Sequence, residues 1–128
     1  MAATAAPRGD VLEAGPLEIS PDEHLARAGG VMLRLSIREL RLLTELARRL
    51  DRIVSRDELF LLVWGRTMRP GDRSVDVYIR KLRVKLHGPL PEWSFLHTHF
   101  GLGYRLSAEL RQPSRTGQPA PNPGGEAA

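Results

Sequence analysis

The sequence predicts an α+β domain in which a small N-terminal antiparallel sheet is followed by three helices and a C-terminal β-hairpin. Three observations carry that expectation. Apolar residues come in short alternating pieces as far as Leu35, their spacing becomes helical from Ser36, and alternation returns between Trp93 and Leu106. A chain of 128 residues, 41% of them hydrophobic, suffices for one domain with a modest core. The domain is placed at 11–109, between a leader over 1–10 and a tail over 110–128.

The leader is Ala-rich, contains Pro7 and Gly9 and shows no period, which predicts flexibility. From Val11 the apolar residues Leu12, Leu17, Ile19, Leu25, Val31, Leu33 and Leu35 are interrupted by Gly15-Pro16, Pro21 and Gly29-Gly30. Strands with turns between them fit this pattern, and Gly29-Gly30 is the expected hairpin turn because positive φ is needed there. Ser36 and Glu39 form a capping box, and Leu40, Leu43, Ala47 and Leu50 repeat at helical spacing behind it. Asp51-Arg52 then turns, Ile53-Val54 is briefly extended, and Ser55 with Glu58 is read as a second capping box for a helix through Trp64, ended by Gly65. A loop over 65–72 holds Pro70-Gly71. Ser74 is expected to cap a third helix over 74–87, stopped by Gly88, Pro89 and Pro91. Trp93 to Phe100 alternates as a strand, Gly101 and Gly103 permit a tight turn, and Tyr104-Arg105-Leu106 returns, giving a hairpin over 95–106. From Gln112 onward the chain is Pro, Gly, Ser and Ala without core-forming residues, the composition of a disordered tail.

The third helix is the most informative stretch. Val75, Ile79, Leu82 and Leu86 fall on one narrow stripe that must face a core. Opposite them lie Val77, Arg80, Lys81 and Val84, with Tyr78, Arg83 and Lys85 on the flanks. Arg73, Arg80, Lys81, Arg83 and Lys85 face a single acid, Asp76, which sits in the first turn where the helix dipole favours an anion. Such a face suits a major groove, its cations reaching phosphates and guanines and its methyl groups lying against thymine methyls. The bland alternative is a solvated basic face on a core helix.

Composition narrows the other classes. A net charge of +4 fits a polyanionic partner only weakly. There is no cysteine, so disulfide and thiolate chemistry are excluded. No apolar run approaches the roughly 18 residues of a membrane span, and MAATAAPRGD lacks the order of a signal peptide, so a cytoplasmic chain with no membrane partner is expected. His97 and His99 alternate along a strand without a nearby Cys, a poor metal pair, and the carboxylates mostly sit at helix starts. No enzyme activity, metal or cofactor is expected.

Two capped helices, a basic third helix and a Gly-rich hairpin spell a winged helix-turn-helix. The runs Ser55-Arg56-Asp57-Glu58-Leu59, Val63-Trp64-Gly65 and Arg73 to Arg83, followed by Thr98, Gly101 and Gly103-Tyr104-Arg105, resemble the OmpR/PhoB-type effector domain of bacterial two-component response regulators. The resemblance covers roughly Val11 to Glu109. It implies a transcription regulator binding double-stranded DNA at direct-repeat promoter sites, with the third helix in the major groove and the wing near the minor groove. By position it implies base reading by Lys81 and Arg83, helped by Arg80, Val77 and Thr98, and phosphate contacts from Arg73, Ser74, Tyr78, Trp64 and Tyr104. It also implies that the 65–72 loop is available to RNA polymerase and that two copies sit head to tail on DNA. With its apolar residues absorbed by one core, the free chain is expected to be a monomer.

Each role has a structural rival: Trp64 as packing at the end of the second helix, Tyr104 as filler between wing and core, and Arg83 as a partner of Asp76 or a bridge to a neighbouring helix. The leader is too short for a phosphoacceptor domain, so the chain is expected to be either an excised effector half or a stand-alone member. Leu61, Val84 and Phe100 depart from the family pattern, Phe100 replacing the usual minor-groove arginine. Its ring is expected to fold back on Leu102 or the helix as core. The other fates are packing on the sugar edges of the groove and meeting a partner protein. A competing function is a winged-helix interaction module that contacts polymerase or another regulator through Leu61 and Phe100.

Overall fold

The alternating N-terminal segment folds into strands β1 (Leu12–Ala14), β2 (Leu17–Ser20), β3 (Leu25–Ala28) and β4 (Val31–Met32), paired antiparallel in that order. The computed structural model describes residues 11–111; the expected leader over 1–10 and the tail from 112 lie outside the described residues. A single 3-10 turn at Pro21–Glu23 links β2 to β3. Gly29 and Gly30, at φ 59 and 83, make the β3–β4 turn as the sequence required. Ala14, Leu17, Ile19, Ala26 and Ala28 bury the inner face of this sheet. Val31 and Met32 are exposed, so the alternation seen in the sequence does not extend the core along β4.

Helix α1 (Ile37–Arg48) starts at a complete capping box: Ser36 Oγ accepts from Glu39 N–H at 3.1 Å and Glu39 Oε1 accepts from Ser36 N–H at 2.8 Å. Leu42 and Leu46 are buried beside the expected Leu40, Leu43 and Ala47, because α1 is covered on two sides, whereas Leu50 lies past the helix end and is exposed.

A short strand β5 (Ile53–Val54) leads into helix α2 (Arg56–Trp64). Here only half of the expected capping box forms. Ser55 Oγ accepts from Glu58 N–H at 3.1 Å, but the Glu58 carboxylate lies 3.7 Å from Arg49. Gly65, at φ 76, ends α2.

Helix α3 (Ser74–His87) packs through Val75, Ile79, Leu82 and Leu86, all buried. Its cap differs from the sequence expectation. Ser74 is the first helical residue rather than the cap, and Asp72 supplies the acceptor, Oδ1 taking the Ser74 N–H at 2.7 Å. The Ser74 side chain and then this backbone N–H, both hydrogen-bonding the carboxylate, hold the Asp72 carboxyl below its usual range.

Strands β6 (Trp93–His99) and β7 (Gly103–Leu110) form the hairpin, and β5 completes a three-stranded sheet in the order β5-β7-β6. The hairpin therefore outruns the expected 95–106, and Leu110, assigned to the tail by sequence, ends a strand. Gly103 is obligatory: at φ 146, a Cβ there would sit 2.1 Å from Val54 O, so only glycine lets β5 cross this close. Phe60, Leu59, Leu82 and Leu106 fill the centre of one core shared by the helices and both sheets. Among the described residues, no helix is long and apolar enough to cross a membrane.

Candidate nucleic-acid interface

Burial of the Val75 to Leu86 stripe fixes the rotation of α3, and the opposite face follows from it. Val77 and Val84 remain 48% and 68% exposed, with the exposed Arg80 and Lys81 beside them. Arg80 has no ion-pair partner among the described residues. Lys81 Nζ lies 4.8 Å from the centre of the Tyr78 ring, a cation–π contact that still leaves its ammonium donors free.

The flanks of α3 are occupied differently. Arg83 Nε and Nη2 donate to Leu96 O at 3.1 and 2.9 Å, and Nη2 also donates to Thr98 Oγ1 at 2.7 Å. The sequence suggested Asp76 or a neighbouring helix as the structural partner of Arg83; the partner is instead strand β6. A guanidinium has five donors, so Nη1 of Arg83 keeps two for another acceptor. Lys85 turns away from the outward face, donating to Glu39 Oε1 and to Arg34 O, both at 2.7 Å. Burial alone would raise the Glu39 carboxyl, but the Lys85 and Ser36 hydrogen bonds outweigh it and hold the group below its usual range.

Asp76 is the junction of the N-terminal end. Arg56 Nη1 donates to its Oδ2 at 2.8 Å, Arg73 Nε lies 3.4 Å from the same oxygen, and the Tyr104 hydroxyl donates to Oδ1. Burial and then the neighbouring Asp76 carboxylate push the Tyr104 phenol up to about 12. Tyr104 is itself buried and lies under Arg83, whose Cζ is 5.9 Å from the ring centre. One carboxylate thus links α2, α3 and β7. Arg56 and Asp76 were not among the sequence-derived site residues, because their pairing spans 20 positions; only the lone acid within a basic helix hinted at it.

Between α3, the start of α2 and the hairpin tip lies an open cleft of about 670 Å³. Its lining brings together Arg73, Arg80, Arg83, Thr98 and Tyr104 from the sequence-derived residues and adds Arg56. Ser74, Val77, Tyr78, Lys81 and Trp64 fall outside it. Trp64 is half-buried, stacked on Phe60 at 4.7 Å with Tyr78 at its edge and Arg38 over its ring, so packing accounts for most of its surface.

The hairpin tip corrects one expectation outright. Phe100 is 91% exposed and does not fold back on Leu102 or a helix. The tight turn from His99 to Leu102 leaves the side chains of Phe100 and Leu102 exposed. Leu61 is also exposed. The two wing histidines make ordinary hydrogen bonds, His99 Nε2 accepting from Arg105 Nε at 3.0 Å and His97 Nε2 lying 3.0 Å from Ser107 O.

Residues 30–106 match the family model described as "Transcriptional regulatory protein, C terminal". The transcriptional regulatory protein TcrA of Mycobacterium tuberculosis is 40% identical over 100 residues, which is 78% of this chain and 39% of that protein. The crystal structure of the DNA binding domain of CpxR from E. coli is similar at a TM-score of 0.71 and 33% identity, covering 79% of this chain and 100% of that one. The Klebsiella pneumoniae RstA DNA-binding domain, solved in complex with the RstA box, gives 0.69 at 33% identity, over 77% of this chain and 98% of that one. The chain spans half or less of the length of the curated relatives it matches.

Proposed function

The chain belongs to the OmpR/PhoB-type family of transcriptional regulatory protein C-terminal domains, which are DNA-binding and not enzymatic, and on that premise we propose that it reads specific duplex sites through α3. The single observation that carries this reading is the outward face of α3, where Val77, Arg80, Lys81 and Val84 stay exposed while the other side of the helix is buried.

In this reading Lys81, Arg80 and Val77 meet base edges in the major groove, and Arg83 with Thr98 reads from the side through the free Nη1 donors. Arg73, Ser74, Tyr78, Trp64 and Tyr104 hold phosphates and set the register. Arg56, on the same cleft, joins them. Tyr104 already donates its hydroxyl proton to Asp76, so it serves a phosphate only by exchanging that acceptor. The free domain is a monomer, and two copies occupy direct repeats head to tail about one helical turn apart. The 65–72 loop is the surface offered to RNA polymerase, and the whole regulator is a cytoplasmic response regulator.

Salt dependence tests this directly. About five interfacial cations, Arg56, Arg73, Arg80, Lys81 and Arg83, neutralising phosphates give a slope near −4 to −5 in log K against log salt, and Arg73→Ala should lower it by about one without changing the preferred sequence. A flat response would instead favour an interaction module, for which the exposed Leu61 and Phe100 are the supporting observation.

A further inference from the structure

The hairpin tip has the wrong chemistry for the electrostatic role its position suggests. His99 to Leu102 form a tight turn closed by Leu102 N–H to His99 O at 2.8 Å, with Gly101 at φ 78 in its third position. That is the pattern of a type II turn, and it leaves the two flanking apolar side chains in solvent. Phe100 is 91% exposed and Leu102 62% exposed. The cation nearest along the hairpin is already engaged: Arg105 donates to His99 at 3.0 Å and pairs with Glu109 at 3.5 Å. The turn His99–Leu102 holds no Lys or Arg to supply the permanent positive charge that a narrow A·T minor groove attracts.

The tip is nonetheless continuous with the cationic cleft. Phe100, Gly101 and Leu102 form one wall of it, and Arg73, Arg80 and Arg83 form the other. A phosphate strand lying along those arginines places the tip on the far side of that strand, at the adjoining minor groove. The hairpin base is held firmly there, since Gly103 packs directly on the β5 backbone and Tyr104 is tied to Asp76.

We propose that Phe100, seconded by Leu102, is an apolar wedge that enters the minor groove beside the half-site and partly unstacks a base step. This rests on the DNA-binding reading above. Apolar side chains inserted between base pairs kink a duplex by about 20° or more. Pyrimidine–purine steps, TA and CA/TG, yield most easily, so the wedge confers a preference for a flexible step where an arginine would confer one for a stiff A-tract. A ring slipped into a step covers both its faces, whereas one laid on sugar edges covers a single face.

The experiment uses the full 128-residue chain and duplexes recovered from a randomised pool, rebuilt with 2-aminopurine in a TA step beside the half-site and with a donor and acceptor dye at the ends. Saturation with the wild-type protein should raise 2-aminopurine fluorescence severalfold and shorten the end-to-end distance. Phe100→Ala should melt at an unchanged temperature, lose both signals, and bind the TA duplex about tenfold more weakly, the order expected for one lost aromatic–base contact. Replacing TA by AA should erase most of that difference. Phe100→Arg should recover affinity, now favouring the AA duplex, without the fluorescence rise. Equal fluorescence and bending for wild type and Phe100→Ala, with binding intact, would overturn the wedge. Absence of any duplex binding at low salt would overturn the DNA-binding reading, and the wedge with it.

Discussion

The crown and the flanks of α3 carry the same residue types and do different things with them. On the flanks, Arg83 commits Nε and Nη2 to Leu96 and Thr98 and Lys85 is held by Glu39 and Arg34, while Arg73, just before the helix, leans on Asp76. On the crown, Arg80 and Lys81 hold no carboxylate among the described residues and stand between two exposed valines. Residue type therefore does not separate a structural cation from a reading one. What separates them is whether the rest of the fold supplies an acceptor.

The largest effect expected from this contrast lies between the buried stripe and the crown. Leu82→Ala empties a fully buried position and should cost about 2–5 kcal/mol in urea unfolding. Val84→Ala on the opposite face should stay within about 0.5 kcal/mol. A comparable loss at Val84 would mean that the crown packs against something and is not free for a ligand.

Next in size is the division between crown and flank cations. Lys81→Ala should leave the melting temperature unchanged and weaken the preferred site by about 1–3 kcal/mol relative to other sequences. Arg83→Ala should lower DNA affinity and also cost about 1 kcal/mol of stability, because its bonds to β6 go as well. Thermal melts beside binding assays on the same preparations decide it; a destabilised Lys81→Ala with a fully stable Arg83→Ala would reverse the assignment.

The smallest effect concerns pH. Lys85 and Ser36 depress the Glu39 carboxyl from its ordinary 4.5, so this group adds stability above that value and loses it as pH falls through the lower folded value. Stability should therefore decline below about pH 4.5 more steeply in the wild type than in Glu39→Gln, as followed by urea unfolding across that range. Parallel acid profiles would show that the Lys85 contact adds nothing to the fold.

Local rules carried most of the architecture. The Ser36–Glu39 box, the Gly29-Gly30 turn, the Gly65 stop and the Val75 to Leu86 stripe each depend on residues within about a dozen positions of one another, and each is found where the sequence put it. The misses have a common cause. Glu58 could have closed a second box, but Arg49, close in space across the turn, draws its carboxylate away. Asp72 displaced Ser74 as the capping acceptor, although an acid two residues before the first helical N–H is a legible sign of that turn. The roles of Lys85, Arg56 and Tyr104 depend on partners 46, 20 and 28 positions distant, which no local spacing reveals. Phe100 departs from the burial expected of an aromatic ring because the tight turn that carries it leaves the ring in solvent, a matter of turn geometry rather than residue type.

Glu39 closes the first turn of α1 and, with the same carboxylate, holds the last turn of α3. Fraying at either place removes a partner from the other, so opening of these two helix ends is coupled despite their separation in sequence. The C-terminal anchor of α3 is then only as persistent as the start of α1, and the strands leading into α1 gain leverage over how firmly that helix is presented.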